Sequence, residues 1–94
     1  MNLEDVFCSK VRMKILKLLH KLGQLNTSDL QKKLGASYTA TIQHLTVLEK
    51  EGVITQRLSG RTRFFRFANT VKAQAVHKLL QEWKGKPADR LWET

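Results

Sequence analysis

The chain is poor in cysteine, acidic residues and long apolar runs, and each shortage excludes something. Cys8 is the only cysteine in 94 residues, so no disulfide can form within the chain, though one between copies can, and the usage suits a reducing compartment. The apolar runs are far too short to span a bilayer, and the opening Met-Asn-Leu-Glu-Asp is acidic where a secretory signal is basic; the expected location is the cytoplasm. No Gly-rich phosphate loop, catalytic pair of carboxylates or nucleophile motif is present, so the reading is not that of an enzyme. Cys8, His20, His44 and His77 lie singly, without the short spacings of zinc ligands, and neither a metal nor another cofactor is expected. Against 17 Lys and Arg stand only 8 Asp and Glu, a formal charge of +9. A surface that basic collects polyanions, but charge alone does not choose among DNA, RNA and acidic membranes.

What is present is helical periodicity around a short hairpin. Leu3, Val6 and Phe7 form an apolar triplet at helical spacing ahead of Ser9, a cap for the next helix. From Lys10 to Leu22, Val11, Ile15, Leu18, Leu19 and Leu22 read as one face, with Lys10, Lys14, Lys17 and Lys21 a solvated stripe opposite. Val53 to Leu58 and Arg63 to Phe67 read as two strands around Ser59-Gly60. A two-residue turn there sets Ile54 opposite Phe65 and on the face of Phe67. Asn69 is placed to cap a last helix, about Thr70 to Lys84, carrying Val71, Ala75, Val76, Leu79, Leu80 and Trp83 on one face and ending at Gly85 before Pro87. Ala88 to Thr94 is too short a stretch to assign.

The organising stretch is Thr27 to Glu51, two helices joined by a tight turn. Thr27 is expected to cap the first, with Asp29 near the positive end of its dipole, and Gly35 to end it. Ser37 then caps a second helix whose buried stripe is Thr41, Leu45 and Leu48. Ser37, Tyr38, Thr39, Ile42, Gln43 and Thr46 fall on its other faces. Such a polar-faced helix is what a major groove admits.

Leu34-Gly35, the run His44-Leu45-Thr46-Val47-Leu48, Gly52-Val53-Ile54 and Gly60-Arg61 resemble the ArsR type of winged-helix repressors. The order of elements extends the resemblance over roughly residues 9 to 84, with specific matches from 34 to 67. Thr41, where that family commonly has an apolar residue, and Ile42-Gln43, where it favours a polar or basic pair, depart from its pattern, and its cysteine-rich sensor motif is missing. The resemblance implies a winged helix-turn-helix fold, mainly α with a small β-hairpin, DNA binding and a homodimer. It also implies a short strand near Gln24-Leu25-Asn26 added to the hairpin, and His44 at the family's histidine position, mostly buried and hydrogen-bonded. One domain over 1–94 is expected, with terminal helices at about 2–22 and 70–84 serving dimerisation through Leu3, Val6, Phe7, Val76, Leu80 and Trp83. Packing of the two ends on each other, with Leu91 and Trp92, is the intramolecular alternative.

The function so implied is that of a homodimeric transcriptional regulator on double-stranded DNA, with recognition helix 37–51 in the major groove and wing 53–67 on backbone or minor groove. Gln43 is the best adenine reader, Ile42 can touch a thymine methyl, and Ser37, Tyr38, Thr39 and Thr46 offer short polar groups to bases or phosphates. Thr27 opens a helix whose first amides can meet a phosphate. On the acid-free wing, Arg61 and Arg63 are expected on DNA, Arg57 divides evenly between DNA and packing over the sheet, and Arg66 is assigned to packing. No small-molecule ligand and no membrane partner are indicated. The alternatives are a sequence-tolerant architectural DNA-binding protein, a winged-helix docking module without DNA contact, and RNA association, which rests on charge alone. Cys8, beside Ser9-Lys10, is either an inert thiol or a redox-responsive one at a dimer surface.

Overall fold

A computed structural model describes residues 2–83; the readings made on Lys84, Gly85, Pro87, Leu91, Trp92 and the last residues lie outside them. Five helices and a three-stranded sheet follow in the order α1 (Leu3–Phe7), α2 (Lys10–Leu22), β1 (Gln24–Asn26), α3 (Thr27–Leu34), α4 (Tyr38–Lys50), β2 (Ile54–Ser59), β3 (Thr62–Phe67) and α5 (Val71–Trp83).

Local chemistry fixes the helix ends. The Ser9 hydroxyl accepts the Arg12 amide at 3.3 Å and opens α2. At α3 the cap is Asn26, not Thr27: its side chain takes the Asp29 amide at 2.8 Å, which leaves Thr27 as the first helical residue. Asn and Thr both cap, and here the residue still extended at the end of β1 does so. Gly35, at φ 64° in the left-handed region, ends α3, and Ser37 receives the Ala40 amide at 3.1 Å to start α4. At α5 the cap is Thr70 in place of the expected Asn69. Its hydroxyl accepts the Ala73 amide at 3.0 Å and donates to the Gly52 carbonyl at 2.6 Å, tying the end of the hairpin to the end of α4.

The sheet order is β1-β3-β2, antiparallel throughout. The added strand is present, Leu25 pairing with Phe65. The hairpin turns at Gly60-Arg61 rather than Ser59-Gly60, so Ile54 faces Phe67 and Gln56 faces Phe65. Gly60 has φ 62°, and no described non-glycine residue has positive φ; glycine at the first central position alone suits a two-residue hairpin of the II′ kind. The slip moves the partner by two residues, which preserves the faces. Leu25, Ile54, Phe65 and Phe67 therefore still lie together on the core side.

The core is made of Val6, Ile15, Leu16, Leu19, Leu25, Leu30, Leu45, Leu48, Val53, Ile54, Phe65, Val76 and Leu80. On α2 the buried line is Ile15, Leu16 and Leu19, while Leu22 is exposed. Of the expected face, Ile15 and Leu19 are buried and Val11 and Leu18 pack half-buried against the core; Leu16 joins them, turned inward on a helix that α5 and β3 also pack against. On α5 the buried residues are Ala73, Val76 and Leu80, with Val71, Leu79 and Trp83 exposed.

Candidate nucleic-acid interface

The second helix of the motif buries one side and offers the other. Thr41, Leu45 and Leu48 are fully covered, as their spacing predicted. Thr41 fits an apolar site because its hydroxyl donates to the Ser37 carbonyl at 2.8 Å, leaving no unpaired polar atom. Ser37, Tyr38, Thr39, Gln43 and Thr46 are exposed. The Thr46 hydroxyl donates back to the Ile42 carbonyl at 2.8 Å, so towards a ligand it offers mainly lone pairs. Ile42 is half-buried and packs against the core, which leaves it less reach than its neighbours.

Around the start of that helix the chain forms a cleft of about 340 Å³ lined by Asn26, Thr27, Ser28, Tyr38, Arg61, Thr62 and Arg63. It joins the beginning of α3, the beginning of α4 and the wing tip, and no acidic side chain is among this lining. Of the ten residues expected at DNA it gathers Thr27, Tyr38, Arg61 and Arg63. Arg57 lies outside it, on the outer face of the hairpin opposite Phe64. Arg66 is exposed on that same outer face, opposite Thr55 and Gln24, and not over the apolar core side where it was expected to pack. Asn26, Ser28 and Thr62 were not singled out from the sequence; their place depends on the wing folding back toward α3, which local spacing does not encode.

The residues expected at a dimer surface divide in two. Val6, Val76 and Leu80 are buried within the chain's own core, so they support α1 and α5 from beneath. Leu3 and Trp83 are 71% and 80% exposed, and Phe7 is half-buried against the core. Between α1 and α5 runs an open groove of about 520 Å³ whose walls include Leu3, Phe7, Ala75 and Leu79, with the exposed Cys8 at one side.

Two contacts join residues that look isolated in sequence. His44 is half-buried, and its Nδ1 accepts a hydrogen bond from Arg12 Nε at 3.2 Å. Nδ1 of His20 lies 3.1 Å from Nδ1 of His77, and His77 also meets Phe67 edge-on; the two histidines are thus paired across α2 and α5 rather than scattered. Among the described residues no group of three or more His, Cys, Asp and Glu could hold a metal ion. Nor is any described helix long and apolar enough to cross a membrane.

Desolvation, and then the Arg12 guanidinium, hold the His44 imidazole below its ordinary value of 6.5. The folded chain thus resists a proton that the unfolded chain takes up below about 6.5, so this site's contribution is intact above that pH and fades as pH falls. His44→Asn keeps an acceptor and removes the titration. Its melting temperature should fall less than that of the wild type between about pH 7.5 and about pH 5. Parallel melting curves for the two proteins would remove His44 from the pH response.

A helix-turn-helix flanked by an arginine-bearing hairpin defines a winged helix-turn-helix protein. The model of the bacterial regulatory proteins of the arsR family matches residues 9–56. The chain belongs to that family, and with it to the DNA-binding transcriptional regulators, which are not enzymes. It is 37% identical over 49 residues to the uncharacterized HTH-type transcriptional regulator YdgJ of Bacillus subtilis (strain 168); the match covers 52% of this chain and 30% of that protein. Among solved structures it is similar to HlyU from Vibrio cholerae N16961, at 26% identity and TM-score 0.74 over 87% of each chain. The transcriptional regulator HlyU from Vibrio vulnificus CMCP6 has 29% identity and TM-score 0.73, over 88% of this chain and 84% of that one. The homodimeric winged helix-turn-helix domain of Mb0332 from Mycobacterium bovis shares the fold at 21% identity and TM-score 0.72, over 85% of this chain and 69% of that fragment.

Proposed function

We propose that the chain acts as a homodimer that places α4 of each copy in successive major grooves of double-stranded DNA, with the wing on the backbone or minor groove between. The cleft carries this reading. It sets two arginines, a phenol and the first residues of α3, Thr27 and Ser28, around one space, a lining suited to a phosphodiester. With the strand held there, Thr39, Gln43 and Thr46 stand on the exposed side of α4. Gln43 is the base reader, bidentate to adenine, and the short hydroxyls of Ser37, Thr39 and Thr46 serve phosphates or base edges. Arg61 and Arg63 supply long-range attraction and the backbone hold, and Arg57 extends the charged outer face of the wing.

The second copy docks on the groove between α1 and α5, through Leu3, Phe7 and Leu79, with the exposed Trp83 further along α5. Exposed apolar side chains gathered at one surface favour it, and so does the homodimeric state named for the Mycobacterium bovis domain. A single domain with α1, α2 and α5 at the seam is the organisation this requires.

Selection from a random duplex pool tests both parts together. The expected product is an inverted repeat with half-site centres about 10–10.5 base pairs apart, bound as a dimer. Leu3→Glu should convert the chain to a monomer that binds one half-site weakly. Recovery of single, asymmetric sites by a monomeric wild type would exclude the dimer. Failure to retain even random duplex at low salt would exclude DNA as the partner and leave a docking module.

A further inference from the structure

The apolar stripe of α4 holds the helix against the core, but the hydrophobic effect itself has no direction and fixes the roll about the helix axis less sharply than a hydrogen bond does. Direction comes from hydrogen bonds. On α4, His44 sits at the flank between the buried stripe and the outward side that carries Gln43, and it receives the Arg12 Nε–H at 3.2 Å. The same guanidinium donates through Nη1 to the Asp5 carbonyl of α1, while the Arg12 backbone amide is held by Ser9. One planar side chain therefore joins α1, α2 and the recognition helix, and its bond to His44 fixes an angle as well as a distance.

We propose that Arg12 is a positioning residue of the DNA site: through His44 it sets the rotation of α4, and so the aim of Gln43 and Thr39 at base edges. This rests on the reading that α4 enters the major groove. The geometry is sensitive. A roll of about 20° displaces the tips of side chains on a helix about 10–12 Å across by about 2 Å, enough to break a bidentate contact with a base while phosphate attraction hardly changes. Lysine cannot replace arginine here, because a single ammonium has no fork with which to hold His44 and the Asp5 carbonyl together.

The test uses the full chain with two duplexes, one selected by the wild type from a random pool and one random, at fixed salt, with thermal melts confirming that each variant is folded. Arg12→Lys keeps the charge and should lose about tenfold of the preference for the selected duplex, while its affinity for random duplex stays at the wild-type value. His44→Phe keeps a ring and removes the acceptor, and should lose the same factor. His44→Asn returns an acceptor near the Nδ1 position and should restore preference to within about twofold. The double variant Arg12→Lys/His44→Phe should be no worse than either single one, since both break one link. Wild-type preference in both single variants overturns the proposal, as does an equal loss on both duplexes. A wild-type chain with no preference among duplexes, or with none bound, overturns the underlying reading of α4 and this proposal with it.

Discussion

Replacing Arg61 and Arg63 together by alanine is expected to weaken binding to every duplex, selected or random, by about 60-fold per bound chain at about 0.1 M salt. The loss is electrostatic. Each phosphate neutralised by a cation releases condensed counterions, and log K falls with log salt by about 0.9 per contact. Two contacts per chain give about 1.8, and twice that for a bound dimer, so the slope should flatten by that amount in the variant. Both residues are exposed at the wing tip and line the cleft with Tyr38 and the start of α3; neither supports the core, and folding should be unaffected. A salt slope unchanged from the wild type would show that the wing tip does not meet the backbone.

The second large effect separates the two sides of α4. Leu45 is 1% exposed within the core cluster, and truncating such a leucine removes both its transfer energy and the packing around the resulting cavity. Leu45→Ala should therefore lower the unfolding free energy by about 2–5 kcal/mol. That is a large share of what a domain this small possesses. Gln43, two positions earlier, is exposed. Gln43→Ala should change stability by no more than about 0.5 kcal/mol and yet reduce discrimination at selected sites by about 1–3 kcal/mol. Urea unfolding and competition binding on both variants measure these quantities. If Gln43→Ala destabilised the fold as much as Leu45→Ala, or weakened selected and random duplexes equally, Gln43 would not be a reader.

Much of the motif was legible because its signals are local and redundant. Gly35 ends α3, Ser37 caps α4, and the burial of Thr41, Leu45 and Leu48 follows from helical period. Where two neighbouring residues could do the same work, the sequence did not choose. Asn26 and Thr27 can both cap α3, and Asn69 and Thr70 can both cap α5; the choice falls to the residue whose backbone is extended at the junction, or to a hydroxyl that also reaches Gly52. Gly60 serves as either central residue of a two-residue turn, so the hairpin register slipped while its faces held. On α2 the apolar period marks the core face, and only the elements packed against it bring Leu16 in and leave Leu22 exposed.

Nothing local announces the long-range pairs. Arg12 and His44 are 32 positions apart, and His20 and His77 are 57; spacing names no partner for any of them, and the family resemblance gives His44 a hydrogen bond without saying to what. The cleft is of the same kind, since Ser28 and Thr62 become neighbours only when the wing folds back beside α3. Of the dimer residues, the period of α5 identified an apolar helix but could not say which of its apolar side chains the chain would keep for itself. Val76 and Leu80 went inward, and Leu79 and Trp83 stayed out.

Amide chemical-shift mapping during titration with a selected duplex tests most directly whether the outward side of α4 meets DNA. Large shifts are expected at Ser37 to Thr46, at Thr27 and Ser28, and at Gly60 to Arg63, with the amides of Ile15, Leu16 and Leu19 little changed. Shifts confined to the groove between α1 and α5, with Thr39 and Gln43 unmoved at saturation, would contradict it.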